Sequence, residues 1–249
     1  MRVRVLPDRD AVAEAAAREI VGAAQQAITV RGRFLVALAG GRTPALAYSQ
    51  LAAEPWSDSV DWSRVEFFWG DERAVPPDDP ESNYGMVRRT LLRPLGIRDT
   101  QVHRMRGEDP DPAAAALEYA SELERVAGAP PVFDLVLLGM GADGHVASLF
   151  PESTALSENE RTVTDVLVPG SRARRLTLTF PVILAARAIL VQVTGADKAK
   201  ALRRVFMSHA GDTLPAIRLS DAAARVLWLV DATAAGGKDG PGAKARAPR

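Results

Sequence analysis

Short, continuous apolar runs alternate along the chain with longer stretches whose apolar positions recur at helical spacing. Val3–Leu6, Phe34–Ala39, Val65–Trp69, the run from Phe133, Arg175–Phe180, Ala188–Thr194 and Val226–Val230 read as strands. Asp10–Ile28, a segment from Pro44, Tyr84–Leu92, Asp111–Ala127 and Lys198–Ser208 read as helices. This alternation predicts an α/β domain with a mostly parallel sheet and helices on both faces. A Pro- and Asp-rich loop between Trp69 and Ser82-Asn83 is long for a connection and reads as functional. From Ala234 onward the chain is rich in Gly, Ala, Pro, Lys and Arg. The expected organisation is therefore one domain over 1–233 and a disordered tail over 234–249.

The run from Phe133 leads straight into Gly139-Met-Gly141-Ala-Asp143-Gly144-His145. Unbroken apolar strands are those covered on both faces, and open α/β sheets bind ligands past the carboxyl ends of such strands. An Asp and a His at that place, among glycines that let the backbone approach a ligand, read as a catalytic turn. The bland reading of His145 is a hydrogen-bonded side chain that closes a tight turn. The same letters also spell a dinucleotide fingerprint, but Pro151 follows too early for the helix which that motif requires.

Three further elements follow strands. Gly40-Gly41-Arg42-Thr43-Pro44 places a double glycine before a helix, with Thr43 as the expected N-cap and Pro44 as the first helical residue, an arrangement that suits an anion. Gly70-Asp71-Glu72-Arg73 gathers three charges at a strand end: Arg73 is suited to a phosphate or an oxyanion, and Asp71 and Glu72 to orienting Arg73 or a sugar hydroxyl. Thr194-Gly195-Ala-Asp-Lys198 sets a lysine at a helix entrance, where a cation opposes the helix dipole unless an anion is shared. Each is equally readable as a turn or a solvated charge when taken alone.

Composition narrows the classes. Lys plus Arg and Asp plus Glu both number 31, so no basic excess points to nucleic acid or an anionic membrane. The absence of cysteine removes disulfides, thiolate catalysis and Cys-ligated zinc. His103, His145 and His209 are the only histidines and show no metal-ligand spacing. No signal peptide or apolar span of membrane length is visible, and a cytoplasmic protein is expected.

Taken in order, Gly-Gly-Arg-Thr-Pro, Gly-Asp-Glu-Arg-x-Val-Pro with Ser82-Asn83-Tyr84, Leu-Gly-x-Gly-x-Asp-Gly-His-x-Ala-Ser-Leu-Phe-Pro, Arg175-x-Thr-Leu-Thr and Val-Thr-Gly-x-x-Lys resemble the 6-phosphogluconolactonase family over about residues 39–198. The resemblance implies a Rossmann-like three-layer α/β/α sandwich related to glucosamine-6-phosphate isomerases. It also implies a cofactor-free, metal-independent hydrolase of the oxidative pentose phosphate pathway. Its partner is then a small phosphosugar lactone, with no nucleic acid or membrane, and the chain a monomer or weak homo-oligomer. One departure is the run Val-Pro169-Gly-Ser-Arg172-Ala-Arg174-Arg175, which leaves open which arginine reaches the site.

Opening a δ-lactone needs an activated water, a stabilised oxyanion and a proton for the ring oxygen. His145 is suited to the proton transfers, Asp143 to fixing its tautomer or holding the water, and Arg73 to the developing charge. Gly40, Gly41, Arg42 and Thr43, with Lys198 and either Arg42 or Arg175, are suited to the 6-phosphate, and Asp71 to a substrate contact. A serine nucleophile is disfavoured, since Ser148 sits at the helix start expected after His145 and no Gly-x-Ser-x-Gly occurs. The alternatives are a deaminase/isomerase of the same fold, whose turn continues Ala-Phe-Asn-Glu where this chain has Ala147-Ser148-Leu149-Phe150-Pro151, and a non-catalytic sugar-phosphate-binding regulator, for which no DNA-binding segment is evident.

Overall fold

The computed structural model describes residues 1–207 and 211–237. The strands are β1 (Arg2–Leu6), β2 (Phe34–Leu38), β3 (Val65–Trp69), β4 (Asp71–Arg73), β5 (Leu135–Gly139), β6 (Val163–Leu167), β7 (Arg174–Leu178), β8 (Ile189–Val193) and β9 (Val226–Asp231). The helices are α1 (Arg9–Arg31), α2 (Arg42–Leu51), α3 (Asn83–Val87), α4 (Pro112–Ala127), α5 (Phe180–Ala185) and α6 (Ala199–Phe206). Six strands form a parallel sheet in the order β1-β9-β8-β5-β2-β3, flanked by helices, as the alternating pattern predicts. A second, antiparallel sheet, β4-β7-β6, is an addition to that expectation.

Local chemistry explains the main elements. Asp8 caps α1 through the Ala11 N–H, and Gly32 ends it at φ 76°, with its N–H returning to the Ile28 carbonyl. Between those caps the alanines of α1 form its buried face, which lets α1 approach α2 and β9 closely. β2 and β8 are buried along their whole length, as continuous apolar runs require. Tyr84–Leu92 forms as α3, capped by Ser82, followed by a wide helical turn over Arg88–Leu92. The helix expected at Lys198–Ser208 begins as a 3₁₀ turn over Ala196–Lys198 and runs on as α6; Ser208 and His209 lie outside the described residues.

Strands β2 and β3 lie to one side of β5 and are joined through α2, whereas β8 and β9 lie to the other. The strand order therefore reverses between β2 and β5, and loops leaving these two strands diverge and open a crevice at their carboxyl ends. Gly70 links the two sheets at that edge: its N–H donates to the Leu38 carbonyl at the end of β2, and its carbonyl accepts from Leu178 N–H in β7. Two buried tyrosines close the same edge. The Tyr48 hydroxyl accepts from Ala39 N–H and donates to the Ala39 carbonyl, and Tyr119 does the same at Trp69. Burial pushes both phenols up from their usual range, so they remain donors at any physiological pH.

The expected tail does not begin at Ala234. Ala234 and Ala235 are buried, and the Ala234 N–H donates to Asp231, whose carboxylate also accepts from Gly195 N–H. Residues 234–237 thus extend a turn that braces the loop after β8, while the rest of the expected tail, 238–249, lies outside the described residues. Replacing Tyr119 by Phe leaves the buried N–H and carbonyl of Trp69 without their partner. The expected loss is about 1–3 kcal/mol of unfolding free energy in urea denaturation, with an unchanged m-value; a variant as stable as the parent contradicts this role.

Candidate active site

The crevice is an open cleft of about 320 Å³, lined by the glycine turn after β2, the end of β5, the start of β4, β7 and the loop after β8. Five cationic side chains, Arg9, Arg42, Arg73, Arg175 and Lys198, face it against two carboxylates, Asp71 and Asp197. A chain with balanced charge thus concentrates positive charge in one place, which favours an anionic ligand.

His145 stands on the wall of this cleft. Its Nδ1 lies 2.6 Å from Asp143 Oδ1, the same oxygen that accepts its main-chain N–H. Burial works against ionisation of Asp143, but the neighbouring His145 and the hydrogen bonds outweigh it and hold the carboxyl below its ordinary range. An ionised Asp143 makes Nδ1 the protonated nitrogen and leaves Nε2 to exchange protons with a ligand. The ring packs on Phe150 at 4.6 Å between centroids. A Cβ on Gly141 would stand 2.1 Å from His145 Nδ1 and 2.5 Å from Asp143 Oδ1, so a side chain there would displace this pair. No helix starts at His145. Gly144 at φ 82° and Ala147 at φ 48° turn the chain sharply, and Val146 bridges to Leu149 instead.

That turn buries Ser148, whose Oγ donates to Asp71 Oδ2 at 2.6 Å. Ser148 is therefore a support for Asp71 rather than an exposed nucleophile. Asp71 is also held by the Asn83 amide, and Arg175 lies 3.8 Å from it on the opposite strand. Glu72 faces away from the cleft. Its buried carboxylate accepts from the N–H groups of Arg73, Asn83 and Tyr84 and from the Ser82 hydroxyl, and burial nevertheless raises its pKa. Arg73 donates to the Glu81 carbonyl, and its Nε is buried with no partner. Arg73 and Arg175 are directly opposite in the β4–β7 pairing, where like charges repel unless an anion lies between them. Desolvation lowers the Arg175 pKa. Of the three candidate arginines, Arg175 lines the cleft; Arg174 pairs with Asp165 and Arg172 is exposed on the preceding turn.

The loop after β2 takes a different form from the expected cap. Gly41, at φ 101°, is the N-cap of α2, so Arg42 is its first residue, and no side chain caps it. Thr43 instead bonds Thr194 at 2.6 Å, tying the turn after β2 to the loop after β8. The first N–H groups of a ten-residue helix remain directed at the cleft. Gly40 must lack a side chain, since a Cβ would meet Asn83 Oδ1 at 1.8 Å. Lys198 stands at the entrance to α6 and pairs with Asp197 at 3.0 Å, a partner that sequence reasoning did not supply. Sequence reasoning also missed Arg9 and Gln192, both on the cleft wall, and gave no role to Asn83. Only Asn83 carried a signal, as part of Ser82-Asn83-Tyr84 after the long loop. Among the described residues no group of three His, Asp or Glu side chains is arranged to hold a metal.

Residues 7–228 match the family model described as glucosamine-6-phosphate isomerases/6-phosphogluconolactonase. The chain belongs to this family. The 6-phosphogluconolactonase of Streptomyces coelicolor is 40% identical over 238 residues, covering 92% of this chain and 91% of its own. That of Nostoc sp. is 38% identical over 236 residues, covering 93% and 96%. The solved structure of 6-phosphogluconolactonase from Trypanosoma brucei superposes with a TM-score of 0.84 at 30% identity, covering 94% of this chain and 97% of that one. The family match spans every loop that reaches the cleft.

Gly141→Ala is expected to leave the fold intact and to push the imidazole off Asp143. The downfield Nδ1 proton of His145 should vanish from the NMR spectrum, and turnover should fall about 10²-fold for a displacement of this size. A variant that retains that resonance would show that the turn can absorb the added carbon.

Proposed function

We propose that this chain hydrolyses 6-phospho-D-glucono-1,5-lactone to 6-phospho-D-gluconate, the lactone-opening step of the oxidative pentose phosphate pathway, with His145 as the general base. The observation that carries this reading is the His145–Asp143 pair on the wall of a cleft that is otherwise cationic. The name shared by the relatives supports the substrate.

In this reading, Asp143 holds Nδ1–H and so presents unprotonated Nε2 to a water, which attacks C1 of the lactone as Nε2 takes its proton. Negative charge develops on the carbonyl oxygen. Arg73 is the candidate to stabilise it, and Arg175, desolvated and opposite, adds to the same field. When the tetrahedral intermediate collapses, the C1–O5 bond breaks and the imidazolium returns its proton to O5. The products are a carboxylate and the ring-opened hydroxyl, with the carboxylic proton released to solvent. Gly40, Gly41, Arg42, Thr43 and Lys198 hold the 6-phosphate, and this remote binding energy positions C1 over His145.

The deaminase alternative needs an acidic residue five positions after the histidine. Here that position is Phe150, whose ring covers His145 and has no proton to exchange. The lactone reading accommodates this, because an apolar ring there limits imidazole motion without competing for Nδ1.

Proton release from freshly generated lactone, corrected for spontaneous hydrolysis, tests the activity. His145→Asn should retain the fold and lower kcat by about 10²–10⁴-fold; near-parental turnover in a folded variant removes the assignment. Lys198→Ala should lose about 2–4 kcal/mol in kcat/KM with the phosphorylated lactone, and much less with plain gluconolactone. Equal losses on both substrates would place Lys198 outside the phosphate site.

A further inference from the structure

Besides Arg73, two side chains on the cleft wall carry buried polar atoms with no hydrogen-bond partner among the described residues. Arg9 Nε is buried without a hydrogen-bond partner, and no ion pair to Arg9 occurs among the described residues. Gln192 is 3% exposed, and neither its Oε1 nor its Nε2 is bonded. A buried, unpaired polar atom is destabilising and is rare in folded proteins unless a ligand or ordered water completes it.

Arg9 is unfavourably placed for stability on a second count. It is the first residue of α1, at the positive end of a 23-residue helix dipole. Its neighbour Asp8 directs its carboxylate to the Ala11 N–H instead of the guanidinium. Position in the fold explains what could compensate. Helices α1 and α2 both follow parallel strands and pack against each other, so their N-termini open on the same edge of the sheet. Arg42 and Thr43 open α2, and Thr43 is joined to Thr194 two residues after Gln192 in the chain.

We infer that Arg9 is a specificity-determining residue of the phosphate subsite: its guanidinium grips the substrate's phosphoryl dianion together with the α2 entrance and Lys198, above the amide of Gln192. The inference rests on the proposed phosphosugar lactone as substrate. A dianion supplies the counter-charge that the α1 entrance lacks and an acceptor for the buried Arg9 Nε. Without it, Arg9 is a net cost to the free protein.

The test uses inorganic phosphate as the probe, with the whole chain and the variants Arg9→Gln and Arg9→Lys. Phosphate titration by calorimetry should give a Kd weaker by about tenfold in Arg9→Gln, the scale of one partly exposed charge-assisted contact, with Arg9→Lys intermediate. The ligand-free melting temperature of Arg9→Gln should equal or exceed that of the parent, which a structural role would not allow. The ratio of kcat/KM for phosphorylated over plain lactone should fall by about the same factor. Unchanged phosphate affinity, a lowered ligand-free melting temperature or equal losses on both lactones would overturn the inference. If the parent fails to open the phosphorylated lactone while Arg9→Gln still loses phosphate affinity, the proposed reaction falls and the role of Arg9 stands. If the parent turns over and the ratio is unmoved, the role of Arg9 alone falls.

Discussion

Glu72 sits buried at the middle of β4, with its carboxylate surrounded by the N–H groups of Arg73, Asn83 and Tyr84 and the hydroxyl of Ser82. A buried carboxylate without partners costs several kcal/mol, so this cluster is a strong constraint on where the long loop can return. By pinning the start of α3, it fixes Asn83 against Asp71 and leaves room for Gly40 only because that residue has no side chain. Asp71 in turn receives Ser148, which sets the turn that carries His145. The Asp-Gly-His turn after β5 and the glycine turn after β2 are therefore linked by buried polar contacts through the segment after β3. The rise in the Glu72 pKa with burial shows that desolvation is the larger influence, and that these donors offset part of it.

Charge placement extends the same logic to function. The whole chain is neutral, yet five cations line one cleft, two of them facing each other across an antiparallel pair. Such an arrangement is repulsive in the free protein, and an anion held between the two arginines would relieve it. The strain is thus held at the site by a fold stabilised elsewhere, in two-sided burial of the parallel sheet and in the tyrosine-closed ends of β2 and β3.

Much of this was legible in the sequence, for identifiable reasons. Continuous apolar strands and amphipathic or Ala-rich helices differ in period, so the parallel sheet and the order of its elements could be read. The glycine turns stood out because glycines follow strand ends, and a Cβ at Gly40 or Gly141 would displace Asn83 or the His145–Asp143 pair. What escaped detection depends on pairing between distant segments. β4 is three residues long and β6 is half polar, and both become strands only by pairing with β7. Thr43 looked like a cap from its neighbours, but Thr194, 151 positions away, takes its hydroxyl. Arg9 lies in an ordinary helix start and Gln192 within a strand, so nothing local marks either as part of a cleft.

The central claim is that Asp143 fixes the imidazole of His145 so that Nε2 acts as the base. The most direct test is the pH dependence of kcat/KM on the phosphorylated lactone for the parent and for Asp143→Asn. The parent should rise to a plateau as the base that takes the water's proton becomes unprotonated. Asp143→Asn, which keeps the shape but can hold the wrong tautomer, should reach a plateau about 10²–10⁴-fold lower, mostly through kcat. A variant with the parental plateau and profile would contradict the account.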